Sequence, residues 1–419
     1  MLPRRRYRPS LLLAVPMLVG SLLLIPSAGA DQLAVEPVTV APGTSEATND
    51  NGQRKLVQTK AGTLELIFVQ RNGTIDQIVV ASSSDNGRTW SEPVLLSRPG
   101  VSARLGSLAE GPRGQLHASW VDYETVGHVW YAVRQDGTWS PASKISPGPT
   151  YAGFPVLAAE GDRVHVLWYS SVPDEAYDVG SRYEIIHVVN TGGVWGPTTT
   201  VVSQGGLDAL NPAIAQDREG VVHTAWYERD VGRYQVHYAF LNEVGEWQGP
   251  SILSSDASDA LGVAMDVDPS GIVHIVWEQF GDRGAEVLYA ALGPDGWSDP
   301  VMVAAAPTVD PVIASDDAGR VFAAWSDRRQ VFVAELMDGR WSDAFILGAG
   351  AHPTIAAGEQ VRIAWTRPGP AGSEVVVADL LGAGPDEGIS LPAGLVATSA
   401  VLFVVALLTL GAFFYRSRT

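Results

Sequence analysis

One phrase returns along this chain at intervals near 50 residues, and it limits what the chain can fold into more than any other feature. It is a turn followed by an apolar strand that ends in tryptophan: Leu116-His117-Ala118-Ser119-Trp120, Val164-His165-Val166-Leu167-Trp168, Val222-His223-Thr224-Ala225-Trp226 and Val273-His274-Ile275-Val276-Trp277. Weaker copies end at Trp325 and Trp365, and the steps from one Trp to the next are 48, 58, 51, 48 and 40 residues. A second phrase interleaves with the first: a Gly-containing turn, then Trp, then small or polar residues, as at Trp90, Trp139, Trp195, Trp247, Trp297 and Trp341. Short strands lie between and before the phrases, such as Val236-His237-Tyr238-Ala239 and Pro311-Val312-Ile313-Ala314. Each unit therefore holds four short strands, A to D, rich in β-branched and aromatic residues and punctuated by Gly, Asp and Pro.

Four-stranded units at this period are the signature of β-propeller blades. A sandwich has no reason for an equal period, and a solenoid uses shorter coils or helices. Six units run from Arg54 to Gly348. A seventh begins at His352-Pro353-Thr354-Ile355, passes Trp365 and stops after its third strand, Ser373 to Val377. Glu36-Pro37-Val38-Thr39-Val40 reads like Glu92-Pro93-Val94-Leu95-Leu96 without its Trp. The expected architecture is an all-β propeller of four-stranded blades, seven in number with six as the alternative, closed by the N-terminal strand. Closure removes the open strand edges of a linear array.

The ends read differently. Residues 1–30 carry Arg4, Arg5, Arg6 and Arg8, an apolar run from Leu11 to Ile25 and Ala28-Gly29-Ala30, the pattern of a signal peptide; an uncleaved anchor is the alternative. Residues 391–415 are apolar and charge-free, long enough for a transmembrane helix, with Arg416 and Arg418 in a short tail, 416–419. The positive-inside bias puts that tail in the cytoplasm and the propeller, residues 31–380, outside the cell, joined by a linker at 381–390. Zero Cys excludes disulfides and thiol chemistry. A net charge of −18 with only three lysines argues against nucleic acid, whose affinity comes from cations meeting phosphates.

The turn Ser83-Ser84-Asp85-Asn86-Gly87-Arg88-Thr89-Trp90 matches Ser-x-Asp-x-Gly-x-Thr-Trp, the Asp-box of bacterial neuraminidase repeats, at Ser83, Asp85, Gly87, Thr89 and Trp90. With the wider blade pattern over residues 54–348, the chain resembles the sialidase-like propeller superfamily. In that family the box is structural. The resemblance implies chemistry carried by a Tyr paired with Glu, an Asp acid/base and three arginines on a substrate carboxylate. The family's Phe/Tyr-Arg-Ile-Pro element is absent from residues 31–380.

In an up-and-down meander the A–B and C–D turns share one face, and the longer B–C and D–A loops share the other. A ligand site belongs among the varied loops of the second face. Candidate ligand-binding residues there are Arg71, Arg104, Asp122, Arg229, Glu278, Arg328, His352 and Arg367. Candidate catalytic residues are Tyr227 and Glu228 with Asp310 or Asp327, a Tyr and carboxylate set suited to glycoside chemistry. His117, His165, His223 and His274 share one phase of the repeat, so they spread around the ring rather than meeting at one ion. Asp266, Asp268, Asp316 and Asp317 read as turn formers rather than a calcium loop. No metal or cofactor is expected. Three readings follow: a membrane-anchored cell-surface module that binds a glycan or protein through its loop face, an exo-sialidase-type glycoside hydrolase, or a structural envelope protein.

Overall fold

The computed structural model describes residues 36–173, 181–200, 208–230 and 232–380. The expected signal peptide and transmembrane segment lie outside these residues. Among the described residues no helix is long and apolar enough to cross a membrane.

Seven antiparallel sheets form seven blades. Blade 2 shows the pattern: strand A (Ser102–Glu110), strand B (Leu116–Tyr123) and strand C (Gly127–Gln135) pair in order, and a short outer strand D follows. Strand D is broken into two pieces in blades 2, 3, 5 and 6. In the first three of these the break holds Pro141, Pro197 or Pro300, which has no N–H to give the ladder. The last blade is assembled from both chain ends. Val38–Gly43 pairs antiparallel with Gly372–Asp379, matching Val38 to Val377 and Gly43 to Ser373. The chain therefore closes as a seven-bladed ring sealed by its N-terminal strand.

The core is a set of seven apolar clusters, one at each blade boundary. Trp120 packs on Ile67, Val69, Ile78 and Val80 of blade 1, and Trp277 packs on Ala213, Val236 and Tyr238 of blade 4. In each case the strand-B Trp of one blade fills the face of the blade before it. Phe68 takes this place in blade 1, against Ala364, Val375 and Val377 of the last blade. Trp120, Trp168, Trp226, Trp277 and Trp365 are fully buried. Their spacing is the period of the sequence because one large wedge is needed per boundary.

The repeated histidines belong to the same seams. His117, His223 and His274 each place Nδ1 2.7 Å from the hydroxyl of Tyr131, Tyr238 and Tyr289. Each tyrosine ring then meets, edge to face, the strand-D Trp of the next blade: Trp195, Trp297 and Trp341, at centroid distances of 4.9, 4.9 and 5.1 Å. In blade 3 His187 replaces the tyrosine, bonding His165 at 3.0 Å and meeting Trp247. Among the described residues no three metal-binding side chains gather.

The Ser83–Trp90 turn is held by its own side chains. Asp85 accepts the Thr89 N–H at 2.9 Å and the Thr89 hydroxyl at 2.6 Å, and the Ser83 hydroxyl accepts the Gly87 N–H. These bonds, the Thr89 hydroxyl first, pull the Asp85 carboxyl down to about 2.

Trp277→Ala should lower unfolding free energy by about 3–5 kcal/mol in a urea titration, whereas the half-buried Trp297→Ala should cost less than half of that. Burial holds the pKa of His117 and His165 down to about 4 and of His187 to about 3. The unfolded chain takes up protons near pH 6.5 that the folded chain refuses. Stability should therefore fall as pH drops from 6.5 towards 4, by up to about 1.4 kcal/mol per pH unit for each such histidine. Glu278, raised to about 7 by burial, works against this trend as a single group between pH 4.5 and 7. Urea midpoints measured from pH 7 to 4.5 test the sign, and His187→Phe should flatten the slope.

Candidate functional site

Strand A lines the channel, and at its loop-face end it breaks register in the same place in six blades. The ladder shifts between Arg104 and Ser107, Gly153 and Val156, Leu210 and Ala213, Leu261 and Ala264, Val309 and Val312, and Ala351 and Thr354. Inside each bulge one residue has positive φ: Leu105 (62°), Phe154 (56°), Asn211 (46°), Gly262 (57°), Asp310 (55°) and His352 (59°). Four of these precede Pro, which cannot extend a ladder and is tolerated at bulges. Left-handed backbone at a bulky residue persists only where its surroundings enforce it, and it gathers at functional sites.

The bulges turn carbonyls into the channel, and the segment joining the closing strand to blade 1 takes them up. Asn51 Nδ2 donates to Gly262 O at 2.5 Å and to Pro311 O at 2.7 Å. Gln53 Nε2 donates to Leu105 O at 2.8 Å and Pro155 O at 2.7 Å. The Thr48 hydroxyl donates to His352 O at 2.7 Å. Gly52 sits between them. A Cβ there would lie 3.1 Å from the Phe154 ring, Pro212 O and Val263 O, so a side chain would crowd three blades at once. Residues 44–53 thus plug the ring, leaving a void of about 30 Å³ beneath.

Above the plug is a cup. A cavity of about 170 Å³ is lined by Thr44, Glu46, Asn49, Asp50, Lys55, Arg104, Leu105 and Tyr123. Asp50 has positive φ (80°), and burial raises its pKa, with Lys55 opposing and Asp310 adding to the rise. Lys55 is buried beside it, pushed down to about 8 by desolvation, and donates to Gln53 Oε1 at 3.0 Å and Gly106 O at 2.9 Å. Half-buried tyrosines stand around the same mouth. Tyr151 and Tyr169 are 5.7 Å apart by ring centroid, with hydroxyls 3.4 Å apart. The charge on Asp50 bears on the hydroxyls of both Tyr123 and Tyr227.

His352 Nδ1 lies 2.7 Å from Asp310 Oδ2. The Asp310 N–H donates to Glu278 Oε1 at 2.8 Å. Glu278 is 9% exposed, and its carboxyl is lifted to about 7 by burial; the Asp310 N–H opposes the rise, the Asp310 charge adds to it and Arg328 opposes it. Gly262, at the bulge of the same blade, leaves the room this side chain occupies: a Cβ there would sit 2.9 Å from Glu278 Oε1.

The structure brings Tyr227, Glu278, Asp310 and His352 to this mouth. Arg104 comes to its edge, one residue before the bulge, where it shares Asp76 with Arg71 and also reaches Glu46. The other sequence candidates stand apart. Glu228 is buried on the opposite side of its strand from Tyr227 and accepts Trp226 Nε1–H at 2.9 Å. Asp122 does the same for Trp120 and pairs with Arg98. Asp327 caps its own turn, accepting the N–H groups of Arg329 and Gln330. Arg229 pairs with Asp208, and Arg367 with Glu374. Arg328 is exposed on the rim. Sequence reasoning missed Asp50, Lys55, Tyr123, Tyr151 and Tyr169. For Asp50 the available signal was the polar run Thr44 to Gln53, which belongs to no repeat, and for Tyr169 its place directly after the repeat Trp168.

No family model matches the chain, and no curated protein matches its sequence. Solved propellers do match its fold. A polysaccharide lyase of family PL25, an ulvan lyase, is 9% identical over 82% of this chain and 95% of its own, with a TM-score of 0.57. A protein of unknown function from Dyadobacter fermentans is 13% identical over 82% of this chain and 99% of its own, with a TM-score of 0.50. The NanB sialidase of Streptococcus pneumoniae is 11% identical over 72% of this chain and 68% of its own, with a TM-score of 0.48. The class is thus a seven-bladed β-propeller, a fold shared with the solved ulvan lyase.

The plug gives a direct test. Asn51→Leu leaves the Gly262 and Pro311 carbonyls without their donor, at about 1–3 kcal/mol for each orphaned group. Thermal unfolding should show a loss of that size, and Gln53→Leu, which also leaves the Lys55 ammonium with one acceptor, Gly106 O, in place of two, a larger one.

Proposed function

We propose that this chain is a surface-tethered binding propeller that holds a glycan in its loop-face cup. The observation that carries the reading is the cup itself: half-buried tyrosines from strand B of blades 2, 3 and 4 and from the connection before blade 3, over a floor closed by hydrogen-bonded polar side chains. Aromatic faces suit the apolar faces of sugar rings, and the few fixed polar groups suit their hydroxyls. Under this reading residues 1–30 export the chain, residues 391–415 anchor it, and the propeller faces outward. The Ser83–Trp90 turn is read as an Asp-box that stiffens blade 1 rather than contacting ligand.

A second reading is favoured by one observation. Glu278, raised to about 7 beside Asp310, has the protonation of a general acid near neutral pH. A glycoside hydrolase built here would use Glu278 and Asp50 or Asp310 rather than Glu228 and Asp327.

The full chain in detergent, applied to a glycan array, should bind a subset of glycans. Tyr169→Ala and Tyr227→Ala should each lose at least tenfold in affinity while keeping the wild-type melting profile. An array without hits would overturn the binding reading. Turnover of fluorogenic glycosides that disappears in Glu278→Gln would put the hydrolase in its place.

A further inference from the structure

We infer that the cup is shaped for a protonated amine, so that the glycan it takes is an amino sugar rather than a carboxylated or fully acetylated one; this rests on the binding reading above. The argument is an inventory of what the surrounding groups have left to offer. The cations are committed. Lys55 Nζ donates to Gln53 Oε1 and Gly106 O. Arg71 and Arg104 converge on Asp76, and Arg104 also holds Glu46. Of the arginines near the mouth, only Arg328 has a guanidinium with no side-chain partner among the described residues, and it lies exposed on the rim, where its charge bears on Glu278.

The acceptors are not committed. Among the described residues no side chain or N–H bonds the Asp50 carboxylate. Glu278, nine-tenths buried, accepts one bond, from the Asp310 N–H, and its second oxygen accepts none from the described residues. Tyr227 lies where the charges of both Asp50 and Glu278 reach its hydroxyl. Ionised Glu278, nine-tenths buried with one bond, is costly, and half-buried Asp50 has no donor and only the Lys55 charge beside it, so the pair calls for a proton or a further cation. The upward shift of both carboxyls is the same fact seen in the unliganded molecule. An ammonium would supply N–H donors to these oxygens beside Tyr123, which lines the cavity. A sugar carboxylate would meet the like charges of Asp50 and Glu278, with Arg328 at the exposed rim as the guanidinium left to oppose them.

The test uses two oligosaccharides that differ only at nitrogen. The full chain in detergent is titrated calorimetrically with the tetramer of β-1,4-linked glucosamine, at a pH where its amines are protonated, and with the N-acetylated tetramer. Sialyllactose serves as the anionic probe. The amine tetramer should bind at least tenfold tighter than its acetylated form, and sialyllactose should not bind. Glu278→Gln and Asp50→Asn should each reduce that preference at least fivefold, and Tyr227→Phe should retain it. Circular dichroism melts verify that each variant folds. Equal binding of the two tetramers, or preference for the acetylated or sialylated probe, overturns the amine inference and leaves the glycan reading standing. Binding of none of the three overturns the amine inference, and the glycan reading is then decided by the array.

Discussion

The structure hangs on backbone carbonyls that point inward. A channel lined by regular strands would present side chains to its axis and keep its backbone groups in the ladders. Here six bulges break those ladders at one level and aim carbonyls at the axis. Buried carbonyls need donors. Thr48, Asn51 and Gln53 supply them to five blades at once, from the segment that also carries the closing strand. One length of chain therefore seals the last blade, stops the channel and forms the floor of the cup. The left-handed residues at the bulges are held by the same bonds, which explains how Leu105, Phe154 and His352 tolerate a conformation suited to Gly or Asn.

Around this centre the blade seams do a different job. Each needs a wedge, and the strand-B Trp provides it. The His and Tyr pairs beside the wedges satisfy polar atoms that would otherwise be stranded between sheets. Their histidines are held neutral by burial, so these pairs add no buried charge to the seams. That uniformity makes the mouth stand out. At the position after the Trp, blades 3, 4 and 5 carry Tyr169, Tyr227 and Glu278, while blades 6 and 7 carry Ser326 and Thr366. The ring is symmetric in its joints and asymmetric at its mouth.

Much of the mouth was legible in the chain, but not how its members converge. Asp310 and His352 open strand A, so their place near the axis followed from the repeat alone. Tyr227 and Glu228 are adjacent, and the alternation of a strand sends them to opposite sides. Only the register of the blade shows that Tyr227 faces the mouth while Glu228 turns to Trp226. Arg104 looked like a channel residue, but the bulge begins one position later and diverts it to Asp76. Asp50 could not be placed by the repeat because the segment 44–53 has no repeated copy to be aligned with, and Lys55 owes its place in the site to that segment packing beside it.

What the chain's own order determined was the ring: the period of its tryptophans, the missing strand at one end and the spare strand at the other. These are local patterns, and each blade repeats the same local solution to burying one sheet face on another. What only the tertiary structure decided was the occupant of the axis. Donor and acceptor there are separated by up to 304 residues, as between Thr48 and His352, and by 260 between Asn51 and Pro311. No spacing along a chain encodes such a meeting, because it exists only after seven sheets have been brought around one point.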